Sequence, residues 1–158
     1  MRYQIRQKIF SLRDNFTIKD QFGNNCYQVT GKIMALGDKL YFNDMEGNNL
    51  IYIEQKLWRL LAEYNMFEND EKIATVKRKF SFRPRFDITS KFGEITLDGN
   101  YWQHEFSIKR ENYTMADVSK KWFSLSDTYG IEVYDTENTE FILALAIVID
   151  QVLHDNDR

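Results

Sequence analysis

Near the C-terminus nine apolar residues follow one another without a break: Phe141-Ile142-Leu143-Ala144-Leu145-Ala146-Ile147-Val148-Ile149. Asp150 and Gln151 interrupt the run, and Val152 and Leu153 resume it. A helix turns once in about 3.6 residues, so a helix built from this run has no polar face and must be surrounded. The β-branched Ile147, Val148 and Ile149 favour a strand, whereas Leu143, Ala144, Leu145 and Ala146 favour a helix. Length decides between them. The pattern over about 139–153 is longer than a usual strand and contains no turn signal. Thr136 and Asn138 are candidate N-caps, Glu137 and Glu140 suit the positive end of the helix dipole, and His154 falls in the last turn, where a cation is favourable. A membrane span needs about 20 apolar residues. This run is shorter and ends in an aspartate, so the expectation is a buried core helix, not a transmembrane one.

The rest of the chain has the composition to coat such a helix. With 158 residues it fits one domain over 1–158, and a single proline with seven glycines leaves no sign of a linker. Twelve phenylalanines and nine tyrosines lean towards β structure. Cys26 stands alone, which excludes an intramolecular disulfide and fits a reducing compartment. The opening Met1-Arg2-Tyr3-Gln4-Ile5-Arg6 lacks the apolar core of a signal peptide, so the expected location is cytoplasmic, peripheral at the membrane if the ligand is a lipid.

A turn pattern recurs in which Asp or Ser is followed three residues later by Gly: Asp20–Gly23, Asp44–Gly47, Ser90–Gly93 and Asp127–Gly130. The side-chain oxygen opens such a turn by accepting backbone N–H groups, and glycine supplies the positive φ that closes it. Between alternating apolar segments this reads as a hairpin. The segments are 3–10, 15–19, 26–30, 39–42, 50–54, 58–67, 73–79, 83–89, 94–97, 102–109, 114–119, 122–125 and 131–134, with Glu68-Asn69-Asp70-Glu71 as a further hairpin turn. About a dozen antiparallel strands must curl or close. The expected fold is therefore mainly β: a closed antiparallel barrel of about twelve strands around a buried C-terminal helix, which removes sheet edges and gives the helix a full coat.

Four stretches in this order resemble the bacterial YxjI-like branch of the LURP-one-related (LOR) family: Tyr3-Gln4-Ile5-Arg6-Gln7-Lys8, Ile18-Lys19-Asp20-Gln21-Phe22-Gly23, Lys79-Phe80-Ser81-Phe82-Arg83-Pro84-Arg85-Phe86 and Leu143-Ala144-Leu145-Ala146-Ile147-Val148-Ile149-Asp150. The resemblance runs over nearly the whole chain. It implies a Tubby C-terminal-like barrel of twelve strands around the helix, distantly related to phospholipid scramblases, and it implies no defined activity. The phosphoinositide-binding residues of Tubby proteins have no position-by-position match here, and Cys26 stands alone where scramblases carry a cysteine-rich run.

No catalytic motif is present: no phosphate-cradling glycine loop, no G-x-S-x-G and no H-E-x-x-H. His104, His154 and Cys26 are far apart in sequence and read as strand-face, helix-end and small strand residues. The expectation is no metal, no cofactor and no enzyme. The feature with functional potential is a basic segment. Residues 72–91 hold Lys72, Lys77, Arg78, Lys79, Arg83, Arg85 and Lys91 against Asp87 alone. Lys77 and Lys79 are two apart and share a strand face, as do Arg83 and Arg85 across Pro84. If the two strands are hairpin neighbours, four cations meet on one outer surface, with Phe80, Phe82 and Phe86 either filling the barrel or stacking on a ligand. Lys77, Lys79, Arg83 and Arg85 are thus the candidate ligand-binding residues, for an anionic lipid or a phosphorylated ligand. Nucleic acid ranks below these because the chain is acidic overall, at a net charge of −3. The rivals are a barrel that engages another protein through exposed apolar residues around Trp58, Trp102 or Trp122 and, behind it, an unrecognised enzyme, which a deep pocket holding converging carboxylates or His104 would mark.

Overall fold

The computed structural model describes residues 1–6, 15–32, 37–57, 60–82, 85–123 and 128–154. Alternating burial along the chain marks its strands: Phe16 and Ile18, Leu40 and Phe42, Ile51 and Ile53, Phe106 and Ile108 point inward while the residues between them face outward. Among the described residues there are twelve strands: β1 (Arg2–Arg6), β2 (Phe16–Asp20), β3 (Asn25–Lys32), β4 (Lys39–Asp44), β5 (Asn49–Gln55), β6 (Glu63–Glu68), β7 (Glu71–Lys79), β8 (Arg85–Ser90), β9 (Gly93–Asn100), β10 (Glu105–Arg110), β11 (Tyr113–Ser119) and β12 (Thr128–Val133). Each pairs antiparallel with its neighbours in sequence, and β1 closes on β12 with Arg2 opposite Glu132 and Arg6 opposite Thr128. The result is a closed meander without a free sheet edge.

The apolar run forms α1 (Thr139–His154), and every residue from Phe141 to Leu153 is buried, the polar Asp150 and Gln151 included. Helix α1 contacts β5, β6 and β7 and also β12. β6 and β12 lie on opposite walls of a ring of twelve, so the helix runs through the lumen. A 3-10 turn, Thr136–Asn138, leads into it from β12. The Tyr27 hydroxyl donates to Glu140 Oε1 at 3.2 Å and fastens the first helical turn to β3.

Two of the hairpin turns share one construction. Asp20 Oδ1 accepts from the N–H groups of Phe22 and Asn24, and Asn24 Nδ2 donates to Asp20 Oδ2. Asp44 accepts in the same way from Glu46, Asn48 and the Asn48 amide. Gly23 and Gly47 supply the positive φ, at 84° and 90°. The bonds from the Asn48 side chain and backbone hold the Asp44 carboxyl below its ordinary range. Asp20 is also lowered, its slight desolvation outweighed by the Asn24 bonds. Carboxyls lowered in the folded state contribute stability above the unfolded pKa of about 3.9, and that stability is lost as pH falls through the folded value. Comparing thermal midpoints at pH 7 and pH 3 tests this: the acid-induced drop should be smaller in Asp20→Ala/Asp44→Ala than in the parent. An equal drop would remove these turns from the acid response.

At Glu68–Glu71 the central Asn69 and Asp70 both have positive φ, 49° and 64°, as a two-residue primed hairpin turn requires. The expected turn at Asp127–Gly130 is different. Residues 124–127 lie outside the described residues, and Gly130 sits within β12, opposite Gln4 and Ser119. Its role is clearance, because a Cβ there would lie 2.7 Å from the Phe123 ring. Trp122 and Phe123, following β11, lie over the outside of β12, with the Arg2 guanidinium 4.7 Å above the Trp122 ring. Trp122 and Phe123 therefore cover a strand and do not form one, correcting the strand expected over 122–125. Trp102 lies in a 3-10 turn, Tyr101–Gln103, and β10 starts only at Glu105. Trp58 and residues 7–10 of the expected first strand lie outside the described residues.

Candidate functional site

The meander places its connections alternately at two ends of the barrel. The β2–β3, β4–β5, β6–β7, β8–β9 and β10–β11 turns share the end where α1 enters. The β5–β6, β7–β8 and β9–β10 connections share the far end, towards which α1 runs. The candidate cations lie at that far end. Val76 is fully buried, so Lys77 and Lys79 face outward, as Lys77–Lys79 spacing on one strand dictates. β7 and β8 pair with Lys79 opposite Arg85 and Lys77 opposite Asp87. Lys77, Lys79 and Arg85 are thus brought onto one exposed face. Arg83 lies outside the described residues.

Two acids share this surface. Glu63 on β6 is nearly buried and stands 3.3 Å from Lys77 Nζ and 3.9 Å from Lys56 Nζ. Asp87 Oδ2 stands 3.9 Å from Lys79 Nζ. The Lys79–Asp87 pair, exposed on both sides, holds its cation only weakly, about 0–1 kcal/mol. Among the described residues of this face Lys56, Lys77, Lys79 and Arg85 outnumber Glu63 and Asp87, so it stays positive. Arg78, opposite Phe86, alternates with the outward Lys77 and Lys79 and is half buried. Its backbone N–H donates to Ala62 O at 3.0 Å, which ties the β5–β6 connection to the end of β7. Between them runs a groove of about 330 Å³ lined by Leu60, Leu61, Ala62, Glu63, Lys77, Arg78 and Phe80.

The three phenylalanines divide. Phe86 packs inward, edge-on to Tyr101 at 5.3 Å. Phe80 is 89% exposed and Phe82 is fully exposed, so neither fills the barrel. Leu60, at 94%, joins them at the same end. Sequence reasoning missed Leu60 altogether.

A second polar cluster is sealed inside. His104, in the left-handed region at φ 53°, turns its ring into the lumen. His104 Nε2 and Asp150 Oδ1 are 2.8 Å apart, both side chains being at most 4% exposed. With the carboxylate ionised, Nε2–H is the donor. The imidazole stacks on Tyr129 at 4.4 Å and 25°. Burial, reinforced by the Asp150 charge, pushes the Tyr129 phenol well above its ordinary value. His104 is therefore an interior residue, not one on a strand face. Cys26 donates its thiol to Asn24 O at 3.4 Å, and burial with the nearby Asp20 charge pushes that thiol up, away from nucleophilic character. Asp98 and Glu105 have separate partners, Lys109 Nζ at 2.8 Å and Ser119 Oγ at 3.0 Å. Among the described residues no group of three or more His, Cys, Asp or Glu side chains is placed to hold a metal ion. No helix among them is long and apolar enough to cross a membrane. At the entry end a cavity of about 360 Å³ is lined by Glu68, Glu137 and Glu140 with Lys91, an acidic surround that suits no anion.

A family model described as LURP-one-related matches residues 1–150. The uncharacterised protein YxjI of Bacillus subtilis (strain 168) is 35% identical over 154 residues, spanning 97% of this chain and 94% of the relative. The X-ray structure of a protein from Arabidopsis thaliana aligns with a TM-score of 0.68 at 18% identity, covering 99% of this chain and 92% of that one, which is a likeness of fold.

Proposed function

The chain belongs to the LURP-one-related family, and from that premise we propose that it is a non-enzymatic binding domain that takes a phosphate-bearing anion, a lipid headgroup or a phosphorylated ligand, at the outer face of β7 and β8. The observation that carries this reading is the meeting of Lys77, Lys79 and Arg85 on one exposed face, where among the described residues Glu63 and Asp87 are the acids paired with them. Arg83 belongs to the proposed site by sequence. The non-enzymatic part is supported by the sealing of His104 and Asp150 from solvent and by the raised Cys26 thiol. The same reading takes the barrel as of the Tubby C-terminal kind, distantly related to phospholipid scramblases, supported by the closed meander with its apolar helix inside. It also puts the domain in the cytoplasm.

Amide NMR shifts during titration with glycerophosphoserine test the site. Perturbations are expected around Lys77, Lys79 and Arg85, and Lys79→Glu/Arg85→Glu should abolish them with the rest of the spectrum intact. Perturbations centred elsewhere, or indifferent to the double reversal, would retire the assignment. A second reading, a regulatory barrel engaging another protein, is favoured by the exposed Leu60, Phe80 and Phe82.

A further inference from the structure

Resting on the anion-binding reading above, we infer that the far end of the barrel docks on an anionic phospholipid bilayer, with Leu60, Phe80 and Phe82 entering its interfacial layer. Three observations converge. The apolar side chains project from two connections, β5–β6 and β7–β8, that the topology places at one end and that the Leu60–Phe80 groove joins. Leu60 and Phe80 line one groove and Phe82 lies two residues beyond, so three almost fully exposed apolar side chains gather at one end instead of scattering, the pattern of an interaction surface. The cations stand just behind these tips, where headgroup phosphates would lie once the tips were inserted.

The charge of the whole barrel fits the same orientation. The entry-end turns carry Asp20, Asp44, Glu46, Glu68, Asp70 and Glu111, so among the described residues the acidic end points away from the docking end. In the field of an anionic surface this polarity turns the far end towards the membrane before contact. The cations lie on an open face, which suits headgroups presented side by side at a surface.

The test pairs vesicles with the soluble headgroup. Vesicles of phosphatidylcholine with about a third phosphatidylserine are compared with pure phosphatidylcholine, and glycerophosphoserine supplies the headgroup without acyl chains. Phe80→Ser/Phe82→Ser is expected to keep the melting transition, to keep glycerophosphoserine binding and to weaken anionic-vesicle binding about tenfold or more, the scale of partly burying two phenyl groups. If that variant binds anionic vesicles as tightly as the parent, insertion is overturned and the anion site stands. Glycerophosphoserine binding without vesicle binding overturns the membrane and leaves the anion site. Binding of neither overturns both. Equal binding to neutral and anionic vesicles overturns the charge-directed docking. Self-association of the parent that Phe80→Ser/Phe82→Ser abolishes, without vesicle binding, would make the occupant a second copy of the chain and overturn the inference.

Discussion

Ala144→Asp is expected to yield no cooperatively folded protein. Ala144 is completely buried on a helix whose neighbours are buried all round, and the helix touches opposite walls of the closed ring. A carboxylate at this position enters the buried cluster that fills the lumen, built chiefly of Ile, Leu, Val and Phe. Burying an unpaired charge costs several kcal/mol even after relaxation, and adding atoms to a packed lumen adds about 1–3 kcal/mol. Together these approach the whole stability of an ordinary domain, about 5–15 kcal/mol. Ser81→Asp is the control, since it places the same charge on an exposed residue and should leave the melting curve unchanged. Circular-dichroism melting of the two variants reads the difference. A soluble Ala144→Asp protein that melts within a few degrees of the parent would mean that the helix is not enclosed.

The second large effect concerns His104 and Asp150. Either alanine substitution leaves one polar group behind in a dry site, and removal of one member of a buried pair costs about 3–5 kcal/mol. The double substitution removes both, so its cost should fall short of the sum of the singles by about 1–3 kcal/mol. Urea unfolding of the parent, His104→Ala, Asp150→Ala and the double variant gives the coupling directly. Additive costs would show that the 2.8 Å contact contributes nothing of its own. The pair also explains why the helix tolerates a polar residue at position 150: it is met by a ring held in place by Tyr129.

The helix was legible because a run of nine apolar residues has one solution that keeps all of it dry, and the barrel followed from what such a helix needs. The turns at Asp20 and Asp44 were legible because their chemistry is local, an oxygen and a glycine three residues apart. Where the same signal misled, at Gly130, the glycine answers to a neighbour in space, the Phe123 ring, which no local pattern reveals. His104 and Asp150 are 46 positions apart, and only closure of the barrel joins them. The candidate site was half legible. Strand spacing gave the shared face of Lys77 and Lys79, and the hairpin brought Arg85 opposite Lys79. The outward turn of Phe80 and Phe82 was hidden because Lys79-Phe80-Ser81-Phe82 alternates like a strand, although β7 stops at Lys79. Leu60 acquires meaning only beside Phe80.

Co-sedimentation with liposomes tests the functional account most directly: neutral against anionic vesicles, at low and near-physiological salt, with the parent and Lys79→Glu/Arg85→Glu. Each cation at an anionic surface is worth about 1 kcal/mol, so losing two should weaken binding roughly thirtyfold, and reversing them more. The account predicts pelleting with anionic vesicles alone, weakened by salt and abolished by the double reversal. Pelleting that ignores lipid charge, salt or the reversal would contradict it, as would no pelleting under any condition together with no response to glycerophosphoserine.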